Sequence, residues 1–416
     1  MEKNQKIFWG WYIVGGAFLV MGMNYGSRYC FGVFLKPMAT EFGMSRSVIS
    51  LAAAINMLVY SFCAIFVGRM LDRIAPRWII TTGALIAACG YIMTGFVKTP
   101  LGLYVSYGLM VGLGAAGMGV VACSSSVSKW FIKKRGLAVG IASMGISLGT
   151  VMLTPLAGYI VGAFNWRFGL MALSFIILMM GVFVSQTLMR KTNPEAYGLL
   201  PDGDKTTYSH QKMPETKSVH RVSTLTLFKD SRFWTLAICQ GLAVMISMSV
   251  FVHQVAYATD MGIDKMAAAA SLAAISFTGF IGQFLFGWMT DRIKDPKYVS
   301  FTGITFMLAG TTLMLNVQSV FNLYVCALVY GFGYGSLAPV LPLLIADRFG
   351  RHVLGSIYGL LTFFIGVGGA IGPVLGGFIY DRFGSYHYLW LINIFVLSCI
   401  ALAILTLKKG KQYLPT

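Results

Sequence analysis

Residues Phe8 to Leu35, FWGWYIVGGAFLVMGMNYGSRYCFGVFL, are almost entirely apolar and contain one charged residue, Arg28. A transmembrane helix needs roughly 20 mostly apolar residues, so this stretch predicts a membrane span. A guanidinium in hydrocarbon costs at least about 2.5 kcal/mol and is expected to face a bundle interior or a water-filled cavity. Arg28 is therefore the first candidate functional residue.

Eleven further apolar stretches of similar length follow along the 416 residues. The chain is 57% hydrophobic and 11% charged, whereas soluble proteins are about 25% charged. The stretches lack the ten-residue alternation of a spanning barrel. The composition therefore predicts an all-α integral membrane protein. The twelve predicted spans lie at about 8–35, 46–71, 78–97, 101–128, 136–163, 168–189, 233–258, 266–290, 298–317, 320–346, 353–380 and 386–407.

The net charge of +18 is unevenly distributed between the predicted loops. With the N-terminus inside, the inner segments hold 25 of the 32 Lys and Arg. This asymmetry predicts a multi-pass protein of the cell's inner (plasma) membrane with both termini cytoplasmic, and with membrane lipids as partners of the basic loops. It explains the charge without a nucleic-acid partner. The seven cysteines lie in apolar spans without metal-ligand spacing, so we expect no metal site and no other cofactor.

The one long polar stretch, 191–231, predicts a cytoplasmic linker between an N-terminal six-helix bundle, 1–190, and a C-terminal one, 232–416. The two halves resemble each other at a constant offset. This offset places Gly68-Arg-Met-Leu-Asp72 on Gly287-Trp-Met-Thr-Asp291. Two six-helix halves related by an axis along the membrane normal are the layout of major facilitator transporters.

The repeated motif Gly-x-x-x-Asp-Arg ends the second and the eighth span, where it supplies Asp72 and Arg73, and Asp291 and Arg292. Its glycine allows close helix packing. Its carboxylate can pair with a cation or accept hydrogen bonds from a helix N-terminus. We interpret the four charged residues as an inner gate, and the alternative is that they are solvated loop charges.

Two motifs resemble those of a known family. Trp9-Gly10-Trp11, followed by Gly16-Ala17-Phe18, and the run from Trp130 to Gly145, WFIKKRGLAVGIASMG, are similar to the two signatures of the monocarboxylate transporter branch of the major facilitator superfamily. That branch includes proton-linked lactate and pyruvate carriers and is similar to bacterial oxalate–formate antiporters. The resemblance implies a 12-helix major facilitator fold built of two pseudo-symmetric six-helix bundles.

The charged residues of that family match this chain poorly. The lysine of the family's first helix falls on Tyr29, one position after Arg28. The aspartate and arginine of its eighth helix fall on Gly279 and Gln283, and the helix-11 lysine of the oxalate carriers has no counterpart. A dianionic substrate is therefore disfavoured.

All 14 acidic residues lie in predicted loops or at helix ends, so no carboxylate is expected at membrane depth. Proton-coupled carriers usually bind the proton on an intramembrane Asp, Glu or His. His253 in the seventh span is then the proton-coupling candidate, unless the substrate carries the proton itself. The alternative is an ordinary interfacial histidine.

Arg28 and Asn24 lie one helical turn apart on the same face, where a guanidinium with an amide beside it can bind one carboxylate. The alternative for Arg28 is a side chain that snorkels to the interface. Gln283, Tyr334 and Tyr358 complete the predicted substrate site. Further polar candidates are Asn56, Gln254, Tyr257, Ser276, Tyr330 and Thr362. The favoured alternative for each is a packing or interhelical hydrogen-bonding residue.

These features predict a monomeric secondary transporter of a small organic monocarboxylate, lactate-like or pyruvate-like, coupled to protons by alternating access. One alternative is a major facilitator carrier or exporter of a neutral or larger substrate. Another is a transporter-like sensor that signals through the linker. The motifs HExxH and GxxxxGK[ST] are absent, and we expect neither an enzyme nor catalytic residues.

Overall fold

The computed structural model describes residues 8–43, 46–71, 73–190, 193–194, 200–203, 227–350 and 353–409. Within these residues the chain is all-helical, which confirms the predicted class. Twelve helical spans are named α1 to α12 in chain order. They are α1 (Trp9–Tyr29 and Phe31–Phe42), α2 (Arg46–Met70), α3 (Pro76–Gly95), α4 (Pro100–Leu103, a π-helical Tyr104–Val111, Gly112–Gly117 and Val120–Trp130), α5 (Arg135–Ala163), α6 (Trp166–Thr187), α7 (Ser231–Asp260), α8 (Lys265–Thr290), α9 (Pro296–Leu313, ending in a 3-10 turn Met314–Asn316), α10 (Val320–Tyr334 and Leu337–Phe349), α11 (Leu354–Phe383) and α12 (His387–Leu405).

Eleven of these helices are long and apolar enough to cross a membrane, and α1 is not among them. It differs from the predicted single span because it breaks at Cys30 and then continues to Phe42. The amide of Cys30 bonds to the carbonyls of Gly26 and Arg28, closing the first segment. The helix is nonetheless embedded in the bundle, since the segment Trp9–Tyr29 is largely buried.

Each half is held together by glycines that bring one pair of helices into backbone contact. A Cβ added at Gly22 on α1 would lie 3.1 Å from the carbonyl of Gly145 on α5. In the second half, Gly241 on α7 meets the carbonyl of Phe364 on α11 at the same 3.1 Å. The two pairs are related by the offset that places Asp72 on Asp291, so the repeat in the sequence is a repeat in packing.

A second set of glycines joins the two halves to each other. On α8, a Cβ added at Gly287 would lie 2.6 Å from the carbonyl of Gly136 and from the Cα of Gly140, both on α5. On α2, Gly68 approaches Gly355 and Gly359 of α11 in the same way. These contacts, again related by the offset between the halves, close the bundle at one end, which we call the linker end because Pro201–Gly203 lies there.

Most of the predicted linker, 191–231, lies outside the described residues. The described part includes Asp202, whose carboxylate accepts hydrogen bonds from the amides of Ile132 (2.9 Å), Lys133 (2.8 Å) and Lys134 (3.2 Å). The linker thus contacts the connection between α4 and α5. The predicted limits of the two bundles, 1–190 and 232–416, stay a prediction.

Candidate functional site

A cavity of about 120 Å³ lies between the two halves, above the glycine contacts of the linker end. Helices α1, α2, α4 and α5 of the first half and α7, α8, α10 and α11 of the second supply its walls. Four predicted site residues line it: Arg28, Gln283, Tyr334 and Tyr358. The other lining residues are Tyr25, Tyr29, Met57, Tyr60, Val120, Ile146, Gln240, Val244, Met248, Leu337, Ala338, Leu341, Thr362 and Ile365.

Arg28 is 8% exposed and lies in the last turn of the first segment of α1. Its Nε donates to the side-chain oxygen of Asn56 at 2.8 Å, and its Nη2 lies 3.6 Å from the sulfur of Met57. The ring of Tyr60 covers the guanidinium, with 4.4 Å between ring centroid and Cζ. No carboxylate pairs with Arg28 among the residues that the structure describes.

These contacts account for a buried charge without an acidic partner. A hydrogen bond to a charged group contributes about 1.5–3 kcal/mol, and a cation–π contact about 0.5–2 kcal/mol. Together they offset the roughly 2.5–3.5 kcal/mol that an arginine costs at the membrane centre. The terminal nitrogens of Arg28 therefore face the cavity with only a thioether, a weak acceptor, beside them.

Asn56 and Tyr107 fix Arg28 from behind. The amide nitrogen of Asn56 donates to the backbone carbonyl of Tyr107 at 2.9 Å. The hydroxyl of Tyr107 donates to the backbone carbonyl of Arg28 at 3.4 Å. The three residues, on α2, α4 and α1, form a closed network that leaves the guanidinium little freedom to turn.

The second half contributes a polar but uncharged wall. Gln283 on α8 is 2% exposed, and its side-chain oxygen accepts a 3.4 Å hydrogen bond from Ser147 of α5. Tyr334 and Tyr358 line the cavity from α10 and α11. Gln240 on α7 adds a second amide. This wall can hold a polar group of a substrate, but it supplies no second cation.

Two predicted site residues lie away from the cavity. Asn24 donates to the backbone carbonyl of Ala115 at 3.2 Å and is 1% exposed, so it bridges α1 and α4. His253 is buried between α7 and α11, where Nε2 lies 2.8 Å from the carbonyl of Pro373 and Nδ1 lies 3.2 Å from the hydroxyl of Tyr386. Its ring thus lies against the proline in the middle of α11, and His253 is not among the residues that line the cavity.

Several of the remaining polar candidates bridge helices. Tyr330 donates to Ser247, Gln254 to Ser271, and Tyr257 to the carbonyl of Met314. These three side chains thus make interhelical hydrogen bonds, which is the alternative given for them in the sequence analysis.

Asp291 joins the two halves at the linker end. Its carboxylate oxygens accept hydrogen bonds from the amides of Gly136 (2.6 Å) and Leu137 (2.8 Å) in the first turn of α5. Burial raises the pKa of this carboxyl above its ordinary value, the two amides oppose the rise, and the nearby charge of Asp202 adds to it. Asp291 thus caps a helix of the other half.

The other predicted gate residues differ in position. Asp72 lies outside the described residues. The side chains of Arg73 and Arg292 are exposed, and the guanidinium of Arg292 covers the ring of Trp288 at 4.1 Å. Of the three that the structure describes, Asp291 has hydrogen bonds to the opposite half.

Among the cavity residues that were not predicted as site residues, Tyr25, Tyr60 and Gln240 carry polar groups. Tyr25 precedes Arg28 by three positions, and this helical spacing is a signal that places both on one face. Tyr60 and Gln240 lie on other helices, and nothing in their local sequence distinguishes them from packing residues.

The residues that the structure describes contain no group of three or more His, Cys, Asp or Glu that could hold a metal ion. The chemistry of the cavity is one cation, two amides, five tyrosines, one threonine and an apolar remainder.

Comparison with protein families gives a match to the model described as "Major Facilitator Superfamily" over residues 17–292 and 236–414. Among individual proteins, the chain is 26% identical to monocarboxylate transporter 12 of Mus musculus over 92% of this chain and 82% of that protein. It is 27% identical to monocarboxylate transporter 13 of Rattus norvegicus, over 91% and 84%. For human monocarboxylate transporter 2 the identity is 25%, over 92% and 82%.

Solved structures with the same fold include the proton:xylose symporter XylE, with a TM-score of 0.80 and 13% identity over 96% of both chains. FucP in the outward conformation gives a TM-score of 0.73 and 14% identity, over 95% of this chain and 99% of that one. At such identities these likenesses concern the fold alone.

Proposed function

Because the chain belongs to the major facilitator superfamily and, within it, to the monocarboxylate transporter family, we propose that it carries a small organic monocarboxylate of lactate or pyruvate type by proton symport. It is a multi-pass membrane transporter of small molecules and not an enzyme. The proposal adds the substrate class and the coupling ion.

The observation that carries the substrate class is Arg28. Its guanidinium lies at the wall of the cavity, is held by Asn56 and covered by Tyr60, and has no carboxylate partner among the described residues. A guanidinium binds a carboxylate through two parallel hydrogen bonds. One cation suits a monoanion better than a dianion, and the apolar residues around it suit a small organic body.

Alternating access would proceed by rocking of the two halves about this cavity. The glycine contacts and Asp291 close the linker end in the present structure. Their separation would open the cavity towards the linker. We propose that this end faces the cytoplasm of the cell, across the plasma membrane, with both termini inside and the protein acting as a monomer.

His253 is the proposed proton-coupling residue. Its Nε2 donates to the carbonyl of Pro373, so Nδ1 accepts from the hydroxyl of Tyr386. Protonation would make Nδ1 a donor to that hydroxyl. A weak carboxylic acid can also carry the proton itself, released from Arg28 when it is protonated.

The test is uptake of labelled lactate or pyruvate by proteoliposomes under an imposed pH gradient. We expect an inward proton gradient to stimulate uptake, and Arg28→Gln to abolish carboxylate binding. Arg28→Lys, which keeps the charge but loses the two-nitrogen geometry, should retain weaker binding. If the Gln variant binds carboxylates normally, the proposed substrate class is wrong, and if the gradient has no effect, symport is wrong.

A second candidate function follows from the uncharged wall of the second half. Gly279 and Gln283 occupy the positions at which the resembling family has an acid and a base. A carrier of a neutral or larger organic substrate would need no charge there. Uptake of a neutral solute that is not inhibited by added carboxylates would favour this function.

A further inference from the structure

Asn56 contacts Arg28 at its Nε and lies outside the cavity wall. It is 3% exposed and is not among the residues that line the cavity. Its oxygen accepts from Nε of Arg28 at 2.8 Å and its nitrogen donates to the carbonyl of Tyr107 at 2.9 Å. Because one neighbour is a donor and the other an acceptor, the orientation of the amide is determined by its surroundings.

This position determines how much of the arginine's charge remains for a ligand. The amide orients the guanidinium without neutralising it. A carboxylate of the same shape at position 56 would form an ion pair at the same distance, and charges interact strongly where water is excluded. The charge of Arg28 would then be neutralised by this ion pair, and the cavity would no longer attract an anion.

We infer that Asn56 is the specificity-determining residue of the carboxylate site: it holds Arg28 in place while leaving its positive charge available to one monoanion. The inference rests on the proposed function and adds a residue that does not itself touch the substrate. Asn56 is thus a positioning residue whose neutrality, and not only its hydrogen bonds, matters.

The inference is tested by replacing Asn56 with Asp and, as the uncharged control, with Leu. The purified full-length proteins are titrated with pyruvate and with acetate while thermal unfolding is followed. We expect the carboxylates to stabilise the wild type, and Asn56→Asp to weaken their apparent affinity about tenfold or more, as loss of a charge-assisted hydrogen bond does. Asn56→Leu, which loses both hydrogen bonds but adds no charge, should weaken the response less than Asn56→Asp.

A second pair of variants serves if a buried aspartate prevents folding. Met57 lines the cavity, and its sulfur lies 3.6 Å from Nη2 of Arg28. Met57→Glu therefore places a carboxylate against the same cation from the open side, and Met57→Gln is its uncharged match. We expect the same loss with Glu and a smaller loss with Gln.

Wild-type affinity in Asn56→Asp or Met57→Glu would overturn the inference, as would an equal loss in the uncharged controls. It is also overturned if no carboxylate stabilises the wild type, because the charge of Arg28 is then not available to an anion. Stabilisation of the wild type without uptake into proteoliposomes would instead contradict the proposed transport and leave the role of Asn56 intact.

Discussion

At the scale of single residues, the ring of Tyr60 is the contact of Arg28 that is easiest to remove selectively. It lies over the guanidinium, and its hydroxyl is 2.7 Å from that of Tyr25. Tyr60→Leu removes the ring, so we expect carboxylate affinity to fall by about three- to thirtyfold, the equivalent of a cation–π contact. Tyr60→Phe keeps the ring and should stay near the wild type. The measurement is thermal-shift titration with pyruvate, and equal affinities for the Leu and Phe variants would contradict the prediction.

The same residues show which part of the site a sequence can predict. Arg28 was predicted because a charge in an apolar helix needs a polar environment whatever the fold. Asn56 was named only as one of several polar candidates, and its pairing with Arg28 was not predicted, because it depends on how α1 rotates against α2. Asn24 illustrates the difference: it shares a helical face with Arg28, yet it bonds to Ala115 of α4 and lies outside the cavity.

At the scale of the helices, the contact of α8 with α5 predicts what closure requires. A Cβ at Gly287 would lie 2.6 Å from backbone atoms of Gly136 and Gly140, which cannot move aside as side chains can. Overpacking of this kind costs about 1–3 kcal/mol. Gly287→Ala should therefore lower the ratio of closed to open linker ends roughly fivefold or more and slow uptake.

Gly377→Ala on α11 is the matched control, since a Cβ there has no atom within 4 Å. It should support wild-type uptake. If both variants transport equally fast, the closed contact between α8 and α5 has no role in turnover.

The limits of the helices were predicted less well than their number. The first span was expected to end at residue 35, whereas α1 breaks at Cys30 and runs on to Phe42. Hydropathy registers the apolar part of a helix, but no proline or glycine at residue 30 signals the break. By contrast, the tight glycine pairs follow from the repeat, because both halves must approach their neighbours equally closely.

At the scale of the whole molecule, the constant offset between the halves was enough to predict two equivalent bundles. It also placed the two acidic motifs at the same end of both. The cavity between the bundles could not be predicted in detail, since its shape depends on where eight helices meet. The charge of the cavity does not follow the repeat: Arg28 lies on the wall of the first half, and the amides lie on the wall of the second. This difference between the halves can be read from the sequence.

The carboxyl of Asp291 connects this architecture to pH. In the closed linker end, burial holds its pKa above the ordinary value, whereas a hydrated carboxyl in an opened end has the ordinary pKa. The closed form thus binds the proton more tightly. Its extra stability is fully present below the ordinary pKa and is lost as the pH rises through the raised one. Acidification should therefore increase the closed fraction.

Two variants separate charge from hydrogen bonding at this position. Asp291→Asn is uncharged at every pH and keeps an acceptor oxygen, so its closed fraction should equal the acid-limit value and not respond to pH through this group. Asp291→Ala leaves the amides of Gly136 and Leu137 without their acceptor, at about 1–3 kcal/mol for each buried donor. Its closed fraction should fall more than about tenfold.

Distances between spin labels at the exposed positions Arg73 and Lys294 report the closed fraction once the exposed Cys89 and Cys399 are replaced by serine. A wild-type pH profile in the Asn variant would show that another group couples this end of the transporter to the proton.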